Sequence, residues 1–183
     1  MLYKDQILQG MNEAVVTTKL ATFKVSTTLT RPNDTITYTA KDALTNALSS
    51  ASPLVFENIG QSNGQVVTLN EVLITSSAKQ SILPQLNLWL FNSIPTAPND
   101  NDPFSITDAE NNNVEAIIPL YQAFDTSNTS STITNCRLEA ANLNRQLHLK
   151  QNQTILWGLI QVVNSYAPVA EEVFGITLKG YRM

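Results

Sequence analysis

Apolar and polar side chains alternate with a period of two residues along much of this chain, and this alternation limits the folds that it can adopt. Phe23, Val25 and Leu29 alternate with polar neighbours, and the same alternation recurs near the C-terminus at Phe174 and Ile176. This period is typical of a β-strand with one face toward a core and the other toward water. The sequence shows no long amphipathic pattern with the 3.6-residue period of a helix.

About eight to ten such strands follow one another, separated by turn residues. Residues 35–40 predict a second strand after the first. Residues 153–163 are apolar on both faces, as expected of a central strand covered on two sides. Proline, aspartate and asparagine make residues 95–113 a predicted long loop. The pattern favours an all-β fold, an antiparallel two-sheet β-sandwich with jelly-roll topology, forming a single domain over residues 13–183 after an N-terminal arm at 1–12.

The composition is polar but nearly uncharged. Charged residues make up 14% of the 183 positions, against about 25% in an average globular protein, whereas Thr, Asn and Ser together occupy 53 positions. The net charge of −4 argues against nucleic acid as the main ligand, because phosphate binding needs clustered cations. No apolar run is long enough for a membrane span, and Asp5, Gln6 and Gln9 interrupt the start of the chain, where a signal peptide would be apolar. We therefore expect a soluble protein made in a cytoplasm.

Residue types that carry chemistry are scarce. One cysteine, Cys136, excludes an internal disulfide, and one histidine, His148, excludes a multi-histidine metal site. The local alternation places His148 on the exposed face of its strand, and Cys136 is expected to be buried. The paired Glu171 and Glu172 are expected at an exposed strand edge. We expect no catalytic residues, no cofactor and no enzyme activity.

The predicted long loop holds weak calcium candidates. Asp100, Asp102 and Asp108 could supply the oxygen ligands that Ca²⁺ prefers. An EF-hand alignment fails, because Ser105 stands where glycine is required and no glutamate stands at the twelfth position. An irregular calcium site and a solvated acidic loop both remain open.

The two tryptophans are candidates for stacking on sugars or bases. Trp157 stands in the most apolar strand and is expected in the core. Trp89 alternates out of phase with Leu88 and Leu90, so it is expected to pack under a loop or against a partner subunit before serving as a ligand platform. Trp89 is therefore a candidate residue for contact with a partner subunit.

Two segments together resemble the small virion proteins of tailed bacteriophages, the head-decoration or auxiliary-capsid family. The first, at 88–104, reads LWLFNSIPTAPNDNDPF, a strand ending in Leu-Phe, then a Pro-Thr-Ala turn and an Asp/Asn-rich loop closed by Phe104. The second, at 155–178, has an aromatic-Gly-Leu strand at Trp157 and a C-terminal strand. The resemblance implies a structural protein of the virion, assembled in the host cytoplasm, that acts through homo-oligomer contacts and contacts with other capsid proteins.

The N-terminal arm is predicted to be a contact segment. Leu2, Tyr3, Ile7 and Leu8 have a spacing that suits a short helix or docking arm, and we expect them to contact a neighbouring subunit.

The alternative function is a carbohydrate-binding jelly roll, such as a receptor-binding tip, which needs exposed aromatic residues. A hydrolase has the least support, because the single histidine has no visible catalytic partner.

Overall fold

The computed structural model describes residues 21–61, 64–78, 82–125 and 136–183, so the predicted arm with Leu2, Tyr3, Ile7 and Leu8 lies outside the described residues. Nearly all regular structure within these ranges is β-strand. The strands are β1 (Ala21–Thr30), β2 (Ala43–Leu44), β3 (Leu54–Phe56), β4 (Val66–Ser76), β5 (Leu86–Phe91), β6 (Val114–Leu120), β7 (Ala123–Asp125), β8 (Cys136–Ala140), β9 (Arg145–His148), β10 (Leu156–Val162) and β11 (Val173–Arg182). One helix, α1 (Asp108–Asn111), lies between β5 and β6. No helix in the described ranges has the length and apolarity needed to cross a membrane.

The strands form two antiparallel sheets, which confirms the predicted β-sandwich. The first sheet has the order β1-β11-β4-β8-β7, with β9 also paired to β4. The second sheet has the order β2-β10-β5-β6, with β3 also paired to β10. Counting β2 with β3 and β7 to β9 together gives eight strands in which the first pairs with the last, the second with the seventh, the third with the sixth and the fourth with the fifth. That nested pairing, divided between two sheets, is the jelly roll.

The core lies between the two sheets and is built by the alternation seen in the sequence. The inward residues of β11 are fully buried and pack against inward residues of β4 and β1. In β4 the inward positions change phase, from Val67 and Leu69 to Val72 and Ile74, because the pairing with β11 shifts register beside Gly180. This bulge keeps both halves of a long strand facing the core.

One local prediction is wrong, and a second is incomplete. The predicted strand at residues 35–40 does not form, and only Tyr38 makes an isolated bridge, to Tyr166. The Asp34 carboxylate accepts a hydrogen bond from the Ile36 amide at 3.0 Å, which turns the chain away from an extended path. The predicted loop at 95–113 is confirmed in outline, but it contains α1, whose N-cap Thr107 and third residue Glu110 form a capping box.

Candidate functional site: the strap and the buried Arg31 cluster

The connection between β5 and β6, residues 92–113, crosses the outer face of the second sheet and is called the strap below. It reaches the free edge of β2, where the Ala43 amide donates to the Asp102 carbonyl at 2.8 Å and the Asn101 amide donates to the Ala43 carbonyl at 2.9 Å. The Phe104 amide donates to the Lys41 carbonyl at 2.8 Å. The strap therefore extends the sheet beside β2 and covers an edge that would otherwise be open.

A second apolar cluster lies between the strap and the outer face of β10 and β5. Trp157, Leu159 and Phe91 are buried there. The Trp89 and Phe104 rings meet with centroids 5.1 Å apart, a tilted contact between sheet and strap. Both faces of β10 are thus covered, by the core on one side and the strap on the other, which explains why this segment is apolar on both faces.

The Glu110 carboxylate joins two parts of the strap, near Thr96 and near Thr107, through hydrogen bonds. One carboxylate oxygen accepts the Thr96 amide at 2.5 Å, and the other accepts the Thr107 amide at 2.7 Å and the Thr107 hydroxyl at 2.8 Å. The backbone hydrogen bonds from Thr107 and Thr96 lower the pKa of Glu110 from 4.5 to about 2, because they favour the ionised carboxylate. The two arms of the strap are therefore held together by an ionised side chain.

A buried charged cluster joins the strap to the loop between β1 and β2. Arg31 is 2% exposed and Asp100 is 3% exposed, and the Arg31 Nη2 lies 2.8 Å from the Asp100 Oδ2. The Asp100 Oδ1 accepts the Tyr38 hydroxyl at 2.7 Å and the Thr45 amide at 2.8 Å. Arg31 also donates to the Tyr38 hydroxyl oxygen at 2.5 Å and to the Val169 carbonyl at 3.2 Å. The cluster thereby ties together three loops that are distant in sequence.

The tyrosines of this cluster are held in their neutral form. Tyr38 and Tyr166 stack with centroids 5.1 Å apart. Burial, followed by the acidic and tyrosine neighbours, raises the pKa of both phenols above their ordinary value. Burial alone would lower the pKa of Arg31, but Tyr38 and Asp100 outweigh it and hold that pKa above its ordinary value. Arg31 therefore stays charged, and both tyrosines stay neutral, at neutral pH and well to either side of it.

The exposed edge predicted for Glu171 and Glu172 is wrong for Glu172. Its side chain is 1% exposed, and its Oε1 accepts the Ser76 hydroxyl at 2.5 Å. The Glu172 carbonyl accepts the Arg31 amide at 2.9 Å, so this residue borders the charged cluster. Glu171 is exposed in a left-handed conformation, with φ of 55°. The turn between them sends one carboxylate inward and the other outward.

The three calcium candidates have different surroundings. Asp100 is buried, and its two oxygens are bound by Arg31, Tyr38 and Thr45. Asp102 and Asp108 are exposed, and Asp102 accepts the Asn99 side-chain amide at 3.0 Å. No group of three acidic, histidine or cysteine side chains suited to a metal ion occurs among the described residues.

The remaining candidates lie mainly where the alternation places them. Cys136 and Trp157 are buried, and His148 is exposed with its Nδ1 3.4 Å from the Glu115 Oε2. Trp89 is half-buried under the strap, one of the positions that the sequence left open. Whether Trp89 also contacts a partner subunit stays a prediction.

Sequence reasoning missed Arg31 and Tyr38 as members of a site. The Arg31-Pro32-Asn33-Asp34 run has the composition of an ordinary turn, and Tyr38 falls within the predicted strand at residues 35–40. One signal was present, since a basic residue followed three positions later by an acidic one can form a local ion pair, and Arg31 and Asp34 are 3.2 Å apart. Asp100 stood out in the sequence only as a calcium candidate, and nothing local identified it as the partner of Arg31.

Among known proteins, this chain finds matches in solved structures but not in protein families or curated proteins. No protein-family model and no curated protein matches the sequence. Among solved structures, the chain is similar to a chain of the cyanophage Pam1 capsid asymmetric unit, at 11% identity over 88% of this chain and 85% of the other, with a TM-score of 0.36. It is also similar to a chain from infectious bursal disease virus Gt strain, at 11% identity over 90% of this chain and 42% of the other, with a TM-score of 0.17. TM-scores of this size do not establish a shared fold, so neither structure carries its function over to this chain.

Proposed function

We propose that this chain is a structural protein of a bacteriophage virion, a decoration, auxiliary-capsid or head-associated subunit that acts through protein contacts and without catalysis. The observation that carries the proposal is the Arg31 cluster. The Arg31, Asp100 and Tyr38 side chains are withdrawn from solvent and hydrogen-bonded to one another, so they hold loops together and do not face a substrate. A site for catalysis needs such groups at an accessible cleft.

The strap supports the same function. A 22-residue connection is long for a compact domain, and such loops are commonly binding loops or unstructured segments. Here the loop is packed over Trp157 and Leu159, paired to β2 and fastened by Glu110. A connection held this firmly presents a preformed surface, which lowers the entropy lost when another subunit binds.

The sequence resemblance of residues 88–104 supports the proposal from another direction. The segment that resembles phage virion proteins consists of β5 and the first half of the strap, the same region that the structure shows to be packed and paired. Jelly rolls serve both as capsid proteins and as lectins, so the fold alone does not choose between the two function classes.

The carbohydrate-binding alternative loses its main residue. Trp89, the aromatic side chain proposed as its platform, is half-buried against Phe104 beneath the strap. A sugar-binding platform presents a ring face to solvent. We therefore retain the virion role as the proposed function.

The test is to follow the chain in the phage that encodes it. Particles are purified through a density gradient, and their proteins are quantified by mass spectrometry against the major capsid protein. We expect the chain to co-purify with particles at a fixed ratio after a high-salt wash. Its absence from washed particles, together with monomeric behaviour in solution, would contradict the proposed function.

A further inference from the structure

An open groove runs along one side of the sandwich, between the edge of β1 in the first sheet and β3 in the second. Two adjoining hollows, of about 540 and about 590 Å³, share Thr27 and Val55 in their linings. The first continues to Leu29 and Pro53, and the second to Glu57. The groove exists because β3 has only three residues, so the second sheet does not close over the ten-residue β1.

The inner face of β1 is incompletely covered along this groove. Phe23 and Leu29 near its two ends are buried, but Val25 and Thr27 between them are only half-buried. Both belong to the inward-facing set, since they pair with the fully buried Leu178 and Ile176 of β11. Inward-facing positions of a sandwich normally lie in the core. Their partial exposure shows that the described residues leave the core incompletely covered at this point.

The edge of β1 is also unprotected. Among the described residues it pairs on one side only, with β11, in continuous register over all ten residues and without a bulge. It contains no proline and one lysine, Lys24. The edge strand of the second sheet, β6, carries both Pro119 and a register shift near its start. Proline and bulges are the usual devices that prevent edge pairing, so β1, unlike β6, is able to accept another strand.

The chain itself contains a segment with the composition of such a strand. Residues 13–18 read EAVVTT, rich in the β-branched residues that suit a pleated surface. Six extended residues span about 20 Å, which matches the part of β1 that borders the groove. Residues 14–20, which lead into β1, contain no glycine, proline, asparagine or aspartate. A tight reversal onto the same chain's β1 therefore lacks its usual turn residues.

We infer that residues 13–18 of a second copy of this chain add as a strand to the open edge of β1 and fill the groove between β1 and β3. This pairing deepens the proposed function, on which it rests, by naming the surface through which copies join. Backbone hydrogen bonds to β1 supply the affinity, and alternate valine and alanine side chains cover Val25 and Thr27. Exchange of such a segment joins copies at little cost in new surface.

Cysteine cross-linking between copies tests the pairing directly. The native thiol, Cys136, is buried. Val16→Cys is made in one preparation and Val55→Cys in another, and the two full-length proteins are mixed under mild oxidation. We expect a disulfide-linked species of twice the 20.1 kDa chain mass on a non-reducing gel. The matched control is Ile117→Cys on β6, because Ile117 and Val55 are both 39% exposed, and it should not cross-link to Val16→Cys.

Two results would overturn the inference. One is equal cross-linking of Val16→Cys to both partners, or to neither. The other is efficient cross-linking within single chains of a Val16→Cys/Val55→Cys double variant at high dilution, which would make the groove the site of the chain's own segment. Deletion of residues 1–18 should leave the far-ultraviolet circular dichroism unchanged and abolish self-association in light scattering, and persistent self-association would also count against the pairing.

The particle experiment separates this inference from the proposed function. A chain that stays on washed particles but fails to cross-link through Val55 retains the virion role and loses the strand exchange. A chain that cross-links through Val55 but is absent from particles retains the strand exchange as a property of the molecule and loses the virion role.

Discussion

The Arg31 guanidinium and the Asp100 carboxylate lie 2.8 Å apart, with both side chains fully withdrawn from solvent. Arg31 follows β1, whereas Asp100 lies in the strap, 69 residues later. The pair therefore joins the end of one sheet to the covering of the other. A buried pair of this kind is costly to break, because the remaining partner becomes an unpaired charge without water.

We predict that Asp100→Ala destabilises the protein by about 3–5 kcal/mol, the range for removing one partner of a buried ion pair. The free energy of unfolding from urea titration measures the change. The control is Asp34→Ala, which removes a longer contact to the same arginine, 3.2 Å, and the hydrogen bond from the Ile36 amide, from a side chain that retains some solvent contact. We expect it to cost about 1 kcal/mol. Equal losses in the two variants would mean that Asp100 is not the main partner of Arg31.

The strap should respond to acid through Glu110. Its pKa is lowered from 4.5 to about 2 in the folded protein, so its contribution to stability is complete above about pH 4.5 and is lost as the pH falls toward 2. We predict that Glu110→Gln costs about 1–2 kcal/mol at pH 7, and that the difference from the wild type shrinks toward zero near pH 2. Urea titrations across that range measure it.

The control for this pH dependence lies in the same helix. Asp108→Asn removes an exposed carboxylate next to Glu110, and we expect its effect to stay below about 0.5 kcal/mol at every pH. A pH profile of Glu110→Gln that ran parallel to that of the wild type would show that the Glu110 charge does not hold the strap.

Two glycines of β11 should differ sharply in their tolerance of alanine. A Cβ at Gly180 would lie 2.0 Å from the Thr68 carbonyl oxygen and 2.8 Å from the Phe23 ring. A Cβ at Gly175 would meet only the Thr75 hydroxyl, at 2.9 Å, which can rotate away. We predict that Gly180→Ala costs at least about 3 kcal/mol, because the backbone of β4 must shift, and that Gly175→Ala costs less than about 1 kcal/mol. Thermal unfolding of both variants would compare them, and a reversed order would contradict the packing at the bulge.

The contact between Trp89 and Phe104 should control how firmly the strap is seated. We predict that Phe104→Ala costs about 2 kcal/mol, below the full value for a buried aromatic residue because Phe104 is half-buried. Hydrogen exchange locates the effect: the amides of Asn101 and residue 104, which bond to the β2 edge, should exchange faster, while those of β4 stay protected. Tyr121→Ala, at an exposed site, is the control. Faster exchange throughout the chain would mean general destabilisation.

The N-terminal arm should matter for assembly and not for folding. We predict that deletion of residues 1–12, with Leu2, Tyr3, Ile7 and Leu8, leaves the melting temperature within about 2 °C of the full chain, while the amount of protein incorporated into particles falls. Circular dichroism and quantitative mass spectrometry of particles measure the two effects. Unchanged incorporation would remove the arm's role, and a large loss of stability would make the arm part of the domain.

The strands were largely predictable from the sequence, because the two-residue repeat is a local property of the pleated backbone. β1, β5, β6 and β11 lie where apolar and polar residues alternate. The failed strand at 35–40 had the same alternation. In that segment the Ile36 amide donates to the Asp34 side chain and not to a neighbouring strand. Tyr38 lies buried, where its hydroxyl is hydrogen-bonded to Arg31 and Asp100. The local pattern of apolar and polar residues carries no information on such long-range partners.

The all-β fold, the single apolar face of most strands and the covering of β10 on both sides follow from the sequence, because each is a local pattern of side chains. Which charged residues are buried depends instead on long-range contacts in the folded chain. The sequence predicts an exposed strand edge for Glu172 and a loop position for Asp100, yet each is buried with its hydrogen-bond partner, Ser76 or Arg31. The cost of burying a charge depends on the partner brought to it by the fold, and that partner stands 69 or 96 residues away along the chain.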